Sequence, residues 1–233
     1  MISGLQKMTL LDFPGKVACT VFLGGCNFRC PFCHNSELLG KAEQVMEVAD
    51  FFAFLEKRRG LLDGVCVSGG EPTLQPRLES FLERIKALGY AVKLDTNGSR
   101  PEVLKHLVSR GLVDYVAMDI KNSPGRYGQT VGLENFSMDA VAESAAFLIN
   151  GSVDYEFRTT VVAQLHDEAS GEEMGRWLAA LVPGKLPKVL YLQSFVDRES
   201  VLFSGLSAHT PQTMEHLARI LGPYVGKIAV RGT

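Results

Sequence analysis

Three cysteines stand at C-x3-C-x2-C spacing in Cys26-Asn27-Phe28-Arg29-Cys30-Pro31-Phe32-Cys33-His34-Asn35. Thiolates are soft ligands, and a set of them at short spacing suits an iron–sulfur cluster. A cubane [4Fe–4S] cluster has four irons, and this loop offers three thiolates, so one iron is left open for chemistry. The spacing matches neither a zinc ribbon built on C-x2-C pairs nor a C-x-x-C redox pair. Gly24 and Gly25 permit close backbone approach at the loop entrance, Pro31 stiffens the loop, and Phe28 and Phe32 can shield a cluster from water. The other two cysteines, Cys19 and Cys66, lie in apolar strand candidates and are expected to be small core residues. Two are too few for a second cluster.

The loop follows an apolar run, and similar runs recur along the chain, alternating with amphipathic segments. Strands are predicted over residues 17–23, 64–68, 90–95, 113–120, 155–162 and 188–195, with a short additional one at 227–230. Helices are predicted over 47–59, 76–88, from Pro101 onward, 137–149 with Ser137 as N-cap, 170–181, and 210–221. That makes six βα units, whose helical crossovers imply parallel strands. The expected fold is α/β: a partial (βα)6 TIM-type barrel in a single domain over residues 1–233, two units short of closure. Segments 24–41 and 122–136 read as long βα loops, the usual place for chemistry in such folds.

Composition agrees with a globular domain: 46% hydrophobic, 21% charged, and a formal net charge of −2. Nothing in it favours nucleic acid or a membrane surface, no apolar run is long enough to span a bilayer, and the start lacks a signal-peptide pattern. Clustered cysteines point to a reducing compartment, so the cytoplasm is expected.

Polar residues gather where the predicted strands end, which is where parallel α/β folds bind ligands. The second strand ends in Ser68-Gly69-Gly70-Glu71-Pro72-Thr73: the glycines would let a ligand lie on the backbone, whose carbonyls can accept from an ammonium group. A plain turn with Thr73 as N-cap is the alternative. The third ends in Asp95-Thr96-Asn97-Gly98 and the fourth in Met118-Asp119-Ile120-Lys121, where alternation puts Asp119 and Lys121 on one face, able to pair or to bind a zwitterion. Arg158 interrupts an apolar fifth strand and suits a carboxylate, either a ligand's or that of Glu156. The sixth strand brings Gln193. His166, before Asp167 and Glu168 in a polar turn, reads as a solvated loop residue rather than a metal ligand.

The cysteine loop, with an aromatic residue before its last cysteine, resembles that of the radical S-adenosylmethionine (SAM) enzymes. The longer set Gly4-Leu5-Gln6-Lys7, Leu11-Asp12-Phe13-Pro14-Gly15-Lys16 and Phe22 to Asn35 is similar to the activating proteins of glycyl radical enzymes, in particular activators of anaerobic ribonucleoside-triphosphate reductase. In length, the 233 residues are nearer the pyruvate formate-lyase type. The resemblance implies the partial barrel. It also implies a [4Fe–4S] cluster held by Cys26, Cys30 and Cys33, with SAM chelating the open iron. One electron from a donor such as flavodoxin or ferredoxin would cleave SAM reductively to a 5′-deoxyadenosyl radical, which takes hydrogen from a glycine of a partner glycyl radical enzyme. No side chain need act as acid or base. Asn35 and the Gly69-Gly70-Glu71-Pro72 element would contact SAM, Asp95 would lie near its ribose, and Asn97 is counted with them. Lys121 would reach the SAM carboxylate, Arg158 would lie beside SAM, and Gln193 stands near the place of a histidine in the pyruvate formate-lyase type. Asp95, Thr96 and Asp119 match residues that hold a monovalent cation in that type; a buried salt bridge of Lys121 with an aspartate is the alternative.

Two other readings stay open. One is a radical SAM enzyme acting on a small molecule, such as a deazapurine-forming enzyme. The other is a non-catalytic iron–sulfur electron carrier, against which stand the Gly-Gly-Glu-Pro element and the missing fourth cysteine.

Overall fold

The computed structural model describes residues 2–40 and 43–232. Residue 41, the expected end of the first long loop, lies outside them. The strands are β1 (Ile2–Thr9), β2 (Ala18–Leu23), β3 (Gly64–Gly69), β4 (Ala91–Thr96), β5 (Tyr115–Asp119), β6 (Asp154–Val161), β7 (Leu190–Ser194) and β8 (Ile228–Arg231). The helices are α1 (Val48–Lys57), α2 (Leu78–Ala87), α3 (Pro101–Ser109), α4 (Tyr127–Val131), α5 (Asp139–Asn150), α6 (Glu168–Ala180) and α7 (Pro211–Leu221). The six expected βα units are all present, and the α/β class with parallel strands is borne out. Among the described residues, no helix is long and apolar enough to cross a membrane.

The residues gather into two compact units. The first contains β1 to β4, α1, α2, most of α3 and the start of β5. Here β1 pairs antiparallel with β2, from Ile2↔Leu23 to Thr9↔Ala18, and β2, β3 and β4 run parallel with Ala18, Gly64 and Ala91 side by side. These small residues leave room for Phe13, which is buried against Ala18 and Cys66; a Cβ on Gly64 would come within 2.9 Å of its ring. Burying a phenylalanine this fully contributes about 2–3 kcal/mol. The run Leu11 to Lys16 is therefore the β1–β2 turn and its plug. Thr9 Oγ1 accepts the amides of Leu11 and Asp12 at 3.2 Å each, and Gly15 takes a φ of 72°. The buried stripes Phe51, Phe52, Leu55 on α1 and Leu78, Leu82, Ile85 on α2 follow the helical period expected of them.

The second unit contains the end of β5, α4 to α7 and β6 to β8. Phe157, Leu190 and Ile228 stand side by side in β6, β7 and β8, all parallel. The Ile120 amide donates to the Arg158 carbonyl at 2.8 Å, carrying the pairing on from the end of β5.

Four features differ from the expectations. β1 was not foreseen, and α4 lies inside the expected loop 122–136. Helix α5 begins at Asp139 with Met138 as its cap residue; the Ser137 hydroxyl, one residue outside, still accepts the Asp139 amide at 3.2 Å. Helix α6 begins at Glu168, because Asp167 and Ser170 close a reciprocal capping box.

Candidate functional site

In the first unit, the loops leaving β2 and β3 lie backbone to backbone. The Gly70 amide donates to the Leu23 carbonyl at 2.9 Å and the Glu71 amide to the Gly25 carbonyl at 2.8 Å. A Cβ on Gly69 would sit 2.2 Å from the Leu23 oxygen; on Gly70, 2.1 Å from the Gly25 oxygen and 3.1 Å from Cys26 Cβ. The two glycines, expected to make room for a ligand, make room for the chain's own cysteine loop, because two carbonyl-bearing turns meet there. Gln75 Nε2 fixes the same entrance by donating to the Gly24 carbonyl at 2.7 Å. The turn's cap is Glu71, not Thr73: its buried Oε1 accepts the Thr73 amide at 3.0 Å, the Thr73 hydroxyl at 2.5 Å and the Thr96 hydroxyl at 2.8 Å. Its side chain thus ties the end of β3 to the end of β4 and faces protein, leaving the backbone carbonyls of this element as the groups able to meet an amine.

Asp95, half-buried at the end of β4, carries the ammonium of Lys93 on Oδ1 and the Ser68 hydroxyl on Oδ2 at 3.2 Å. Lys93 itself is 1% exposed. Cys19 and Cys66 are fully buried, as expected, and burial pushes both thiols up to about 12.

In the second unit, Cys30 is buried and Cys33 half-buried, joined by a Cys33 amide to Cys30 carbonyl bond of 3.1 Å. Burial pushes the Cys33 thiol up, while the amide of Asn35 and the charge of Lys121 pull the other way. Phe28 and Phe32 are buried as expected; Phe28 packs edge-on to Phe136 at 5.4 Å, and Lys121 Nζ lies 6.0 Å from the Phe32 ring centre. Lys121 and Asp119 pair at 2.9 Å, on the shared face that alternation predicts. Arg158 Nε meets the other Asp119 oxygen at 3.0 Å, so its carboxylate is Asp119; Glu156 instead receives Arg231 at 3.4 Å. Burial pushes the Asp119 carboxyl up, but Lys121 and Arg158 outweigh it and hold the group at about 2. Burial opposes the Lys121 charge, but Asp119 and the nearby Cys30 more than offset it and raise its pKa above the ordinary lysine value. A cation held beside Cys30 and Cys33 favours thiolate over thiol, which suits soft-metal ligation. Asn97 is buried, its Oδ1 accepting the Ser99 amide at 3.0 Å, and Gln193 stands half-buried between Thr160 and Arg231 in the sheet.

Three features of the two units were not foreseen. His166 is buried rather than solvated. Its Nε2 bonds the Lys121 carbonyl at 2.9 Å, and its own carbonyl accepts His209 Nε2 at 2.7 Å. Lys93 was overlooked although a lysine in the run Ala91-Val92-Lys93-Leu94 is as odd as Arg158 in its strand. The segment after β7 is strapped to the cysteine loop: His34 Nε2 donates to the Val196 carbonyl at 2.7 Å, Ser36 Oγ to the Ser200 carbonyl at 2.5 Å, and the Phe203 amide to the Pro31 carbonyl at 3.0 Å. The His34 ring also stacks on Phe195 at 5.6 Å. Among the described residues, no three His, Cys, Asp or Glu side chains stand as a ready-made metal cage.

In sequence and fold the chain is similar to known proteins. Residues 20–167 match the model of the radical SAM superfamily, and the chain belongs to that family of enzymes, whose cofactors are a [4Fe–4S] cluster and SAM. A Methanocaldococcus jannaschii protein, assigned provisionally by name to the glycyl-radical enzyme activating enzymes, is 28% identical over 99% of this chain and 95% of its own length. A 7-carboxy-7-deazaguanine synthase of Koribacter versatilis is 35% identical over 63% of this chain, which spans 62% of that relative. A solved domain of a pyruvate-formate lyase-activating enzyme from Bacteroides vulgatus shares the fold, with a TM-score of 0.59 at 20% identity over 72% of this chain and 99% of that one.

Proposed function

We propose that this chain activates a glycyl radical enzyme, anaerobic ribonucleoside-triphosphate reductase being the favoured partner, by taking a hydrogen atom from a glycine of that protein. The observation that carries the reading is the similarity to the Methanocaldococcus jannaschii protein over nearly the full length of both chains. The partner reductase is favoured by the opening motifs Gly4 to Lys7 and Leu11 to Lys16.

Cys26, Cys30 and Cys33 would hold the [4Fe–4S] cluster; their spacing and the family support this. When bound, cluster and SAM supply, on one-electron reduction by a flavodoxin- or ferredoxin-type donor, the 5′-deoxyadenosyl radical that abstracts hydrogen. The chain's own residues would bind and orient. Carbonyls of Gly69 to Glu71 would accept from the SAM amino group, Lys121 and Arg158 would face its carboxylate, and Asp95 and Asn97 would lie toward its ribose, with Asn35 and Gln193 nearby. Phe28 and Phe32 would exclude water and oxygen.

The test is anaerobic reconstitution with iron and sulfide, reduction, and quantification of 5′-deoxyadenosine from SAM, with Cys30→Ala as control. Adding the candidate reductase should then produce a glycyl radical signal by electron paramagnetic resonance (EPR). Cleavage without any protein radical, but with turnover of a small deazapurine precursor, would favour the second reading, which the similarity to the deazaguanine synthase supports. A loaded cluster that neither cleaves SAM nor changes its EPR signal with SAM would overturn both and leave the electron carrier.

A further inference from the structure

The acidic residues matched to a monovalent-cation site already carry cations of the chain's own. In the first unit, Lys93 and Asp95 lie two apart on β4, so alternation turns both to one face. The Lys93 ammonium bonds Asp95 Oδ1, and the Ser68 hydroxyl bonds Oδ2 at 3.2 Å. The Thr96 hydroxyl is turned to Glu71 Oε1 at 2.8 Å. In the second unit, Asp119 is shared by Lys121 at 2.9 Å and Arg158 at 3.0 Å. Burying an ammonium group is costly without an anionic partner, and for Lys93 that partner is Asp95. An ammonium group has the charge of a potassium ion and nearly its size. A potassium or sodium ion at Asp95 would meet a like charge in a poorly screened place, so the seat and Lys93 exclude each other.

We propose that Lys93 is a built-in cation, replacing the monovalent metal ion at Asp95, so that SAM binding and cleavage need no added alkali metal. The proposal rests on the reading that Asp95 borders the SAM site, and it makes Lys93 a positioning residue acting through Asp95.

The test uses the anaerobically reconstituted holoprotein, with sodium and potassium exchanged for tetramethylammonium. SAM affinity is read by calorimetry, alkali-metal uptake by equilibrium dialysis with radioactive rubidium, and cleavage by 5′-deoxyadenosine release. Wild type should bind and cleave SAM within about twofold with or without potassium chloride, and should take up far less than one rubidium per chain. Lys93→Met should lose about tenfold in SAM affinity in tetramethylammonium, regain it with potassium, and bind rubidium. The proposal is overturned by a wild type that loses about tenfold in SAM affinity when potassium is withdrawn, or that binds one rubidium per chain abolished by Asp95→Asn. It is equally overturned if Lys93→Met keeps full affinity with no cation dependence. Should Lys93→Met not fold, the wild-type dialysis and calorimetry decide alone. A wild type that binds no SAM would defeat the placing of Asp95, whereas rubidium uptake would still report on the cation seat.

Discussion

His166 holds the backbone of Lys121: its Nε2 donates to the Lys121 carbonyl at 2.9 Å while its Nδ1 accepts the Val162 amide at 3.1 Å. A ring that accepts at one nitrogen and donates at the other is neutral. Burial lowers its pKa first, with His209 and Arg126 adding to that, against the raising effect of its two backbone bonds. The folded value thus lies below the unfolded one, about 6.5. Its stabilising contribution is therefore complete above that pH and drains away as the pH falls through the folded value. The apoprotein's urea midpoint should fall from about pH 6.5 downward, by at most about 1.4 kcal/mol per pH unit from this group. His166→Gln should flatten that slope, since the amide can donate to Lys121 but cannot take up the proton. Parallel profiles for the two proteins would remove His166 as the cause.

Asp119 offers the same kind of test at lower pH. It faces both Lys121 and Arg158. Asp119→Ala leaves two cations in a half-buried place without their shared anion, at a cost of about 2–4 kcal/mol. Because the native carboxyl is held at about 2, its contribution is present above the unfolded value of about 3.9 and is lost as the pH falls toward the native value. Wild type and Asp119→Asn should therefore differ in urea midpoint at pH 7 and converge near pH 2. A constant gap across that range would show that charge is not what Asp119 contributes.

The sequence carried the candidate cluster cysteines and the βα alternation because both are local. Cysteine spacing and hydrophobic period are read within a dozen residues. Partners are not: Arg158 was legible as unusual, but its mate Asp119 lies 39 residues away. His166 reaches Lys121 across 45 residues, and nothing beside it, only Asp167 and Glu168, hints at burial. Strand β1 escaped because Ile2–Thr9 shows a buried residue only at each end, with no alternating stripe between. Lys93 was within reach, since the reasoning applied to Arg158 fits it equally. Gly69 and Gly70 stood out in the sequence, but their close approach to Leu23, Gly25 and Cys26 was not legible there.

Thiol chemistry should separate the five cysteines. Cys19 and Cys66 have no exposed surface, and burial holds both thiols at about 12. Alkylation needs an accessible thiolate. Iodoacetamide at pH 8 should leave these two unmodified in native apoprotein while labelling Cys26 and Cys33, which are half-buried. Peptide mass spectrometry reads the pattern. Rapid labelling of Cys66 would contradict its place in the packed start of the strands, against Phe13 and Ala18.

Gly70 is where one methyl group should do most to the cluster. Its Cβ would lie 2.1 Å from the Gly25 carbonyl oxygen and 3.1 Å from Cys26 Cβ. Neither neighbour is the far end of a flexible side chain, so the cysteine loop itself must move, breaking the Glu71 amide to Gly25 carbonyl bond of 2.8 Å. Overpacking of this kind costs about 1–3 kcal/mol, and it displaces the backbone that presents Cys26. Gly89 is the control: it takes a φ of 90° with nothing within 4 Å of an added Cβ, so Ala there costs about 1 kcal/mol of local strain and leaves the loop alone. After anaerobic reconstitution, Gly70→Ala should carry much less iron per chain than wild type, while Gly89→Ala should load normally. Equal loading of both would mean that the loop tolerates the shift, and that the close packing of the two turns is not what sets Cys26 in place.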